Sequence, residues 1–167
     1  MLRVAILVLG ALGVLVLAIV AVGYALPVVH VASREATLPA PPERVFAVLQ
    51  DVERYPSWRS DVEGVEVLSR TPVTRWRETG SNGAITFEMQ ERQPPARIVS
   101  RIADTSLAFG GTWTYVLTPQ AGGTRLSITE NGEVYNPLFR FMSRFVFGHT
   151  ATMDAFLKDL QQHLRKG

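Results

Sequence analysis

Glu130, Ser100 and Asp104 are the polar side chains whose strand alternation turns them toward the apolar side of this chain. In Arg125–Asn131 the residues Leu126, Ile128 and Glu130 share one face. A carboxylate there needs a hydrogen-bonding partner or a raised pKa. It would then orient a ligand hydroxyl, move a proton, or sit at a cavity rim in water. Tyr115 lies on the face shared by Trp113 and Leu117, and its phenol needs a partner if buried. Asp104 falls at a strand end, where solvation is expected.

The familiar catalytic signatures are missing. The sequence contains no G-x-S-x-G, no P-loop and no H-E-x-x-H. His30, His149 and His163 are scattered without metal-ligand spacing, and no cysteine could assist them. His149, beside Gly148, is the histidine expected nearest an interior space, and a structural role is its simpler reading. No catalytic residue, metal or cofactor is assigned. Arg70, Arg75, Arg77, Arg92, Arg97 and Arg101 cluster around the middle of the chain. Yet residues 27–167 carry 16 basic groups (17 minus Arg3) against 15 acidic ones. The pI of 9.3 is therefore a poor argument for a nucleic-acid partner, and RNA-reading motifs are absent. A solvated sheet face, or loose attraction to anionic headgroups, accounts for the arginines.

The elements that must position these residues follow from periodicity. Val31–Leu38 reads as a strand stopped by Pro39, Pro41 and Pro42, and these prolines also suit a helix's first turn. Glu43–Gln50 carries an apolar stripe, Val45, Phe46, Val48 and Leu49, at helical spacing. Asp51–Ser57 reads as a second short helix, broken at Pro56, with Tyr55 and Trp58 as anchors. Alternation predicts strands over Val62–Ser69, Val73–Thr79, Ala84–Arg92, Arg97–Ala103, Phe109–Thr118 and Arg125–Asn131. Turns are expected at Ser81-Asn82-Gly83 and Gly122-Gly123, and a bulge or strong bend at Gly110-Gly111. Short connections imply an antiparallel meander. From Pro137 onward, Leu138, Phe141, Met142, Phe145, Met153, Phe156, Leu157, Leu160 and Leu164 keep 3–4 spacing. Gly148 is expected to bend this helix or divide it.

The N-terminus is as legible. Residues 4–26, Val4 to Leu26, contain no charge or strongly polar group. About 20 such residues cross a hydrocarbon core. A cleaved signal peptide would start alike, but its apolar core is normally shorter, about 7–15 residues. Its best cleavage pattern here, Ala21-Val22-Gly23, falls inside the apolar run. A buried core helix seldom stays apolar on all sides for so long. The expectation is residues 1–26 as anchor, 27–30 as linker and 31–167 as one domain. Arg3 and the terminal amine outweigh Arg34 with its neighbour Glu35, which favours a single-pass cell-membrane protein with its domain outside the cytoplasm.

The segment LPAPPERVFAVLQDVERYPSW (Leu38–Trp58) strongly resembles the start of the polyketide cyclase/dehydrase and lipid-transport superfamily, also called START-like, SRPBCC or Bet v 1-like. GGTW at Gly110–Trp113 and GTRL at Gly123–Leu126 are similar to it too, and the resemblance spans residues 31–165. It implies an α+β helix-grip fold: a curved antiparallel sheet wrapped around a long C-terminal helix, here preceded by one transmembrane helix. It also implies an apolar cavity between sheet and helix for lipids, sterols, quinones or polyketide intermediates. Inward alternation then nominates Phe87, Met89, Ile98, Ser100, Ile102, Trp113, Tyr115, Leu126, Ile128 and Glu130 as ligand-facing. Phe141, Phe145, Met153 and Phe156 are expected to oppose them from the helix. Each could instead simply pack a core. The expected function is membrane-tethered binding or transport of a hydrophobic small molecule. The alternatives are a cyclase or dehydratase using the same cavity, or an interaction module of the cell envelope. Oligomeric state is unspecified.

Overall fold

The computed structural model describes residues 1–166 apart from Asn82 and His149. The expected role of His149, and the centre of the Ser81-Asn82-Gly83 turn, lie outside the described residues. Helix α1 runs Leu2–Ala25. At ~1.5 Å rise per residue its 24 residues span about 36 Å. It is long and apolar enough to cross a membrane. Gly23 alone among its residues is buried.

Strand β1 spans Val29–Leu38 and starts two residues before the expected Val31. The reason lies in its partner. The last strand continues through Gly132 to Val134 rather than ending at Asn131, so Val29 pairs with Glu133. Only Leu26, Pro27 and Val28 separate α1 from β1, less than the expected linker 27–30 left free. Helix α2, Pro42–Gln50, opens on Pro42 with Glu43 in its first turn, and buries Val45, Phe46 and Leu49. A 3-10 turn, Val52–Ser57, follows with Pro56 inside it. The Tyr55 hydroxyl donates to the Leu49 carbonyl oxygen at 2.7 Å, which ties the turn to α2.

Six strands then form the meander: β2 Val62–Ser69, β3 Arg75–Gly80, β4 Gly83–Gln93, β5 Arg97–Ile102, β6 Phe109–Gln120 and β7 Gly123–Val134. Together with β1 they make one sheet of seven strands, ordered β1-β7-β6-β5-β4-β3-β2, with every neighbouring pair antiparallel. The β6–β7 pairing runs unbroken through Gly110 and Gly111, so no bulge forms there. Arg75, Arg77, Arg97 and Arg101 lie on the outer face, with Arg77 at 3.4 Å from Glu66 and Arg97 at 3.1 Å from Glu91. Exposed pairs of this kind contribute about 0–1 kcal/mol each.

The C-terminal segment is divided rather than bent. It comprises α3 Pro137–Met142, a π-helical turn Ser143–Phe147, Gly148, and α4 Ala151–Lys166. Helix α4 lies against the sheet and buries Met153, Phe156, Leu157, Leu160 and Leu164. These pack with Leu38, Leu49, Leu117, Leu126 and Ile128 into the core. Full burial of such a side chain is worth about 1.5–3 kcal/mol. The architecture is the α+β helix grip. One expectation is corrected: Phe141 and Phe145 do not oppose the sheet. They contact each other, 4.9 Å between ring centroids, with Phe145 59% exposed. The break at Gly148 takes their segment off the line of α4.

Segment α3 packs instead on the end of α1. A Cβ at Gly23 would overlap the Pro137 carbonyl, so the two backbones touch there. Arg140 is buried and donates from Nη1 to the Leu26 carbonyl oxygen at 2.9 Å and from Nη2 to that of Tyr135 at 3.3 Å. Its charge meets the negative end of α1. Gly23→Leu is predicted to separate α1 from α3 while leaving the denaturation midpoint of the domain core unchanged. Tryptic cleavage after Arg140 should accelerate about fivefold for each ~1 kcal/mol of packing lost.

Candidate functional site

A cavity of about 390 Å³ lies between the sheet and the helical layer. Its wall is built by alternation on five adjacent strands, with Trp76 and Glu78 from β3. Ile85, Phe87 and Met89 come from β4, Ile98, Ser100 and Ile102 from β5, Trp113 and Tyr115 from β6, and Glu130 from β7. Register brings them together: Met89 pairs with Ser100, Ser100 with Trp113, and Trp113 with Glu130. Trp113 also meets Phe156 of α4 edge-on at 5.8 Å and Tyr115 at 6.1 Å. Eight of the residues nominated from the sequence thus line one space: Phe87, Met89, Ile98, Ser100, Ile102, Trp113, Tyr115 and Glu130.

The other six do not. Leu126, Ile128, Met153 and Phe156 share the expected face but complete the solid core beside the cavity, the first three with no exposed surface. Phe141 and Phe145 sit on the divided segment described above. From that segment Phe139, Ser143 and Gly148, with Thr152 at the start of α4, line the cavity instead.

One flank of the space is charged. The Arg59 guanidinium donates to both Glu78 oxygens, at 3.0 and 3.1 Å, and to the Asp61 carboxylate at 2.7 and 3.1 Å. Trp76 Nε1 donates to Glu78 at 2.8 Å. Glu78 is buried, 7% exposed. Burial pushes its carboxyl up, and the Arg59 charge and the Trp76 hydrogen bond only partly offset this. For Arg59, burial opposes the charge, but the Asp61 hydrogen bond and the two carboxylates outweigh it and hold the guanidinium protonated. Its charge also lies over the Tyr55 and Phe156 rings, 5.1 and 5.4 Å from their centroids. Arg59 had no signal in the sequence. Glu78 had one, because it shares a strand face with Trp76 two residues earlier.

A second polar pair sits across the space. His30 Nε2 lies 3.5 Å from Glu130 Oε1, with both side chains about a fifth exposed. Burial lowers the His30 pKa. A Cβ at Gly132 would strike the His30 ring, so only a glycine leaves room for this pair. His30 and Glu130 are a hundred residues apart in the chain and meet because β1 pairs with β7. Asp104, by contrast, lies outside the cavity and accepts bonds from Ser106.

The helix-grip sheet thus encloses an apolar, aromatic-walled space with a few fixed polar groups, the general construction of small-molecule pockets. The family described as "Polyketide cyclase / dehydrase and lipid transport" matches residues 29–165, and the chain belongs to it. No curated protein sequence matches the chain. Among solved structures, a protein of Thermus thermophilus is 25% identical with a TM-score of 0.67, covering 82% of this chain and 98% of its own. A START superfamily protein from Mycobacterium smegmatis is 17% identical at TM-score 0.67, covering 82% and 98%. The Zhui aromatase/cyclase of a Streptomyces species is 16% identical at TM-score 0.66, covering 83% and 94%. The last two likenesses establish the fold.

Arg59→Met would strand Glu78 and Asp61 and should cost about 3–5 kcal/mol in a urea titration. Replacing Arg59, Asp61 and Glu78 together with apolar residues of similar volume should recover most of that loss. Burial also raises the Tyr55 and Tyr115 phenols above the usual value of about 10. The folded state therefore keeps these protons longer than the unfolded one. Their contribution is complete below pH ~10 and is lost as the pH rises through the folded values. An alkaline titration read at 295 nm should show Tyr55 and Tyr115 ionising only with unfolding, a phase that Tyr55→Phe and Tyr115→Phe each diminish.

Proposed function

We propose that this protein is a membrane-tethered carrier that holds a hydrophobic small molecule, of lipid, quinone or polyketide-like type, between its sheet and α4. The observation that carries the reading is the unfilled space itself. Leu126, Ile128, Met153 and Leu160 pack without exposure, so the fold can close its core. A few ångströms away, Phe87, Ile102 and Trp113 stay only partly buried around about 390 Å³. That volume falls within the ~300–1,000 Å³ usual for small-molecule sites.

The polar groups fit a ligand that is apolar along most of its length with one hydrogen-bonding end. Ser100 and Tyr115 place hydroxyls on the wall, and Arg59 is already occupied by two carboxylates. Helix α1, apolar on all sides, supplies the tether. The Arg3 end favours the cytoplasm, which would leave the domain outside it. A second reading, a cyclase or dehydratase in the same cavity, is favoured by one observation. The Glu78 carboxyl is pushed up beside the space, as suits a group that exchanges a proton.

The two readings separate at defined positions. Full-length protein purified from its host should carry a hydrophobic molecule, detected by native mass spectrometry and lipid extraction. An empty cavity that also takes up no lipid-like probe would sink the carrier reading. Trp113→Ala should weaken binding of a fluorescent fatty-acid probe about tenfold or more, ~1.4 kcal/mol. Its stability loss should stay below the ~3–5 kcal/mol of a filled-core truncation. Glu130→Gln should cost a carrier roughly 1–3 kcal/mol of affinity. In an enzyme that uses Glu130 as acid or base, turnover would fall about 10²–10⁴-fold.

A further inference from the structure

We propose that the α3–π-turn segment (Pro137–Phe147) is embedded in the bilayer interface, so that the cavity opens onto the membrane and exchanges its ligand with the acyl-chain layer directly. This rests on the tether reading above and adds to it a surface and a route. Register assigns the ends of the sheet. Val29 pairs with Glu133, Phe109 with Val134, Phe87 with Ile102, and Gly80 with Gly83. The anchor enters at Val29, so all these positions belong to the anchor end. The cavity reaches this end, where Gly80, Gly83 and Phe109 line it together with Ser143, Thr152 and the half-exposed Phe139, and we take its mouth to be there.

Depth follows from the chain itself. Leu26–Val28 can extend about 10 Å at most, at ~3.3–3.6 Å per residue. The domain therefore cannot stand clear of the headgroups. The contact of Pro137 with Gly23 is more restrictive, because Gly23 lies within α1. It puts the start of α3 level with the last turn of the spanning helix. Arg140 fixes this height through the Leu26 carbonyl and lies 6.0 Å from the Tyr24 ring centroid.

The segment so placed exposes Leu138, Phe139, Phe145 and Val146, at 46%, 53%, 59% and 58%. Among the described residues nothing covers them. Four large apolar side chains at headgroup depth, beside the exposed cation Arg144, are what an interfacial helix presents to lipid. The occupant of this surface is the bilayer, continuous with the one that surrounds α1. A ligand leaving the cavity past Phe139 then enters hydrocarbon without crossing water.

The chain has no cysteine, so single cysteines report without background. Full-length Phe145→Cys, Val14→Cys and Ala121→Cys would each carry the fluorophore NBD in vesicles of phosphatidylcholine and phosphatidylglycerol. Ala121, in the β6–β7 turn, marks the far end of the sheet, roughly 35–40 Å from Val134 at ~3.4 Å per residue. NBD at Phe145 and Val14 should be quenched by lipids with acyl-chain nitroxides and shielded from iodide, and NBD at Ala121 the reverse. Iodide access at Phe145 with Val14 shielded overturns this inference and leaves the tether standing. Iodide access at both overturns the two together. Shielding of Phe145 without nitroxide quenching marks a protein contact, such as a second copy, and also overturns it. Phe145 and Val146 do not line the cavity. Phe145→Asp with Val146→Asp should slow uptake of a pyrene-labelled fatty acid from phosphatidylcholine vesicles about tenfold, with binding of the same probe from detergent solution unchanged. An unchanged uptake rate overturns the proposed route.

Discussion

The pairing of β1 with β7 is the contact on which the rest of the molecule depends. Ten residue pairs join Val29–Leu38 to Thr124–Glu133 across almost a hundred intervening residues. Loop-closure entropy of that size opposes the pairing, and the ten-residue ladder is backed by the buried Leu126 and Ile128 of β7 and Leu38 of β1. It does three things at once. It adds the seventh strand, it lays His30 over Gly132 against Glu130, and it hangs the N-terminal helix from one defined end of the sheet. Were β1 to slip by one residue, the side chains it turns to the core, Leu38 among them, would turn to solvent.

The space under the sheet is a balance between two kinds of packing. On the α4 side of β7, Leu126 and Ile128 meet Met153 and Leu160 in a core with no slack. Toward β3 and β4 the helical layer withdraws, and aromatic rings with a buried ion cluster form the wall. A buried Arg59–Glu78–Asp61 cluster is not an economical way to gain stability, because desolvation consumes most of the Coulombic attraction. Its value is positional. The guanidinium fork holds two carboxylates and the turn after Trp58 in one arrangement.

The break at Gly148 has consequences beyond the length of a helix. A continuous helix from Pro137 would have laid Phe141 and Phe145 on the sheet and filled the mouth. Division at Gly148 leaves α4 to close the core and releases the preceding segment to pack on α1. Gly23 and Pro137 touch as backbones, and Arg140 ties three chain segments together at that point. Helix α1 is thereby part of the tertiary structure, held against α3 by packing rather than hung on a flexible linker.

Much of this was legible because it is local. Proline at Pro41 and Pro42, alternation in β4, β5 and β6, and the uncharged run from Val4 to Leu26 act within a few residues, and the family pattern in Leu38–Trp58 is of the same kind. Alternation alone brought Phe87, Met89, Ile98, Ser100, Ile102, Trp113, Tyr115 and Glu130 to one side of the sheet, and so to one space. It could not say where that space ends, so Leu126 and Ile128, with the same parity, proved to be core. Periodicity likewise carried Phe141 and Phe145 onto the sheet, because spacing does not register a change of helix axis at Gly148. Arg59 with Glu78, and His30 with Glu130, come from turns and strands far apart in the chain. Only strand register and the approach of α4 decide that they meet. Side-chain type and spacing determine which face a residue takes. The three-dimensional path of the backbone decides what stands opposite.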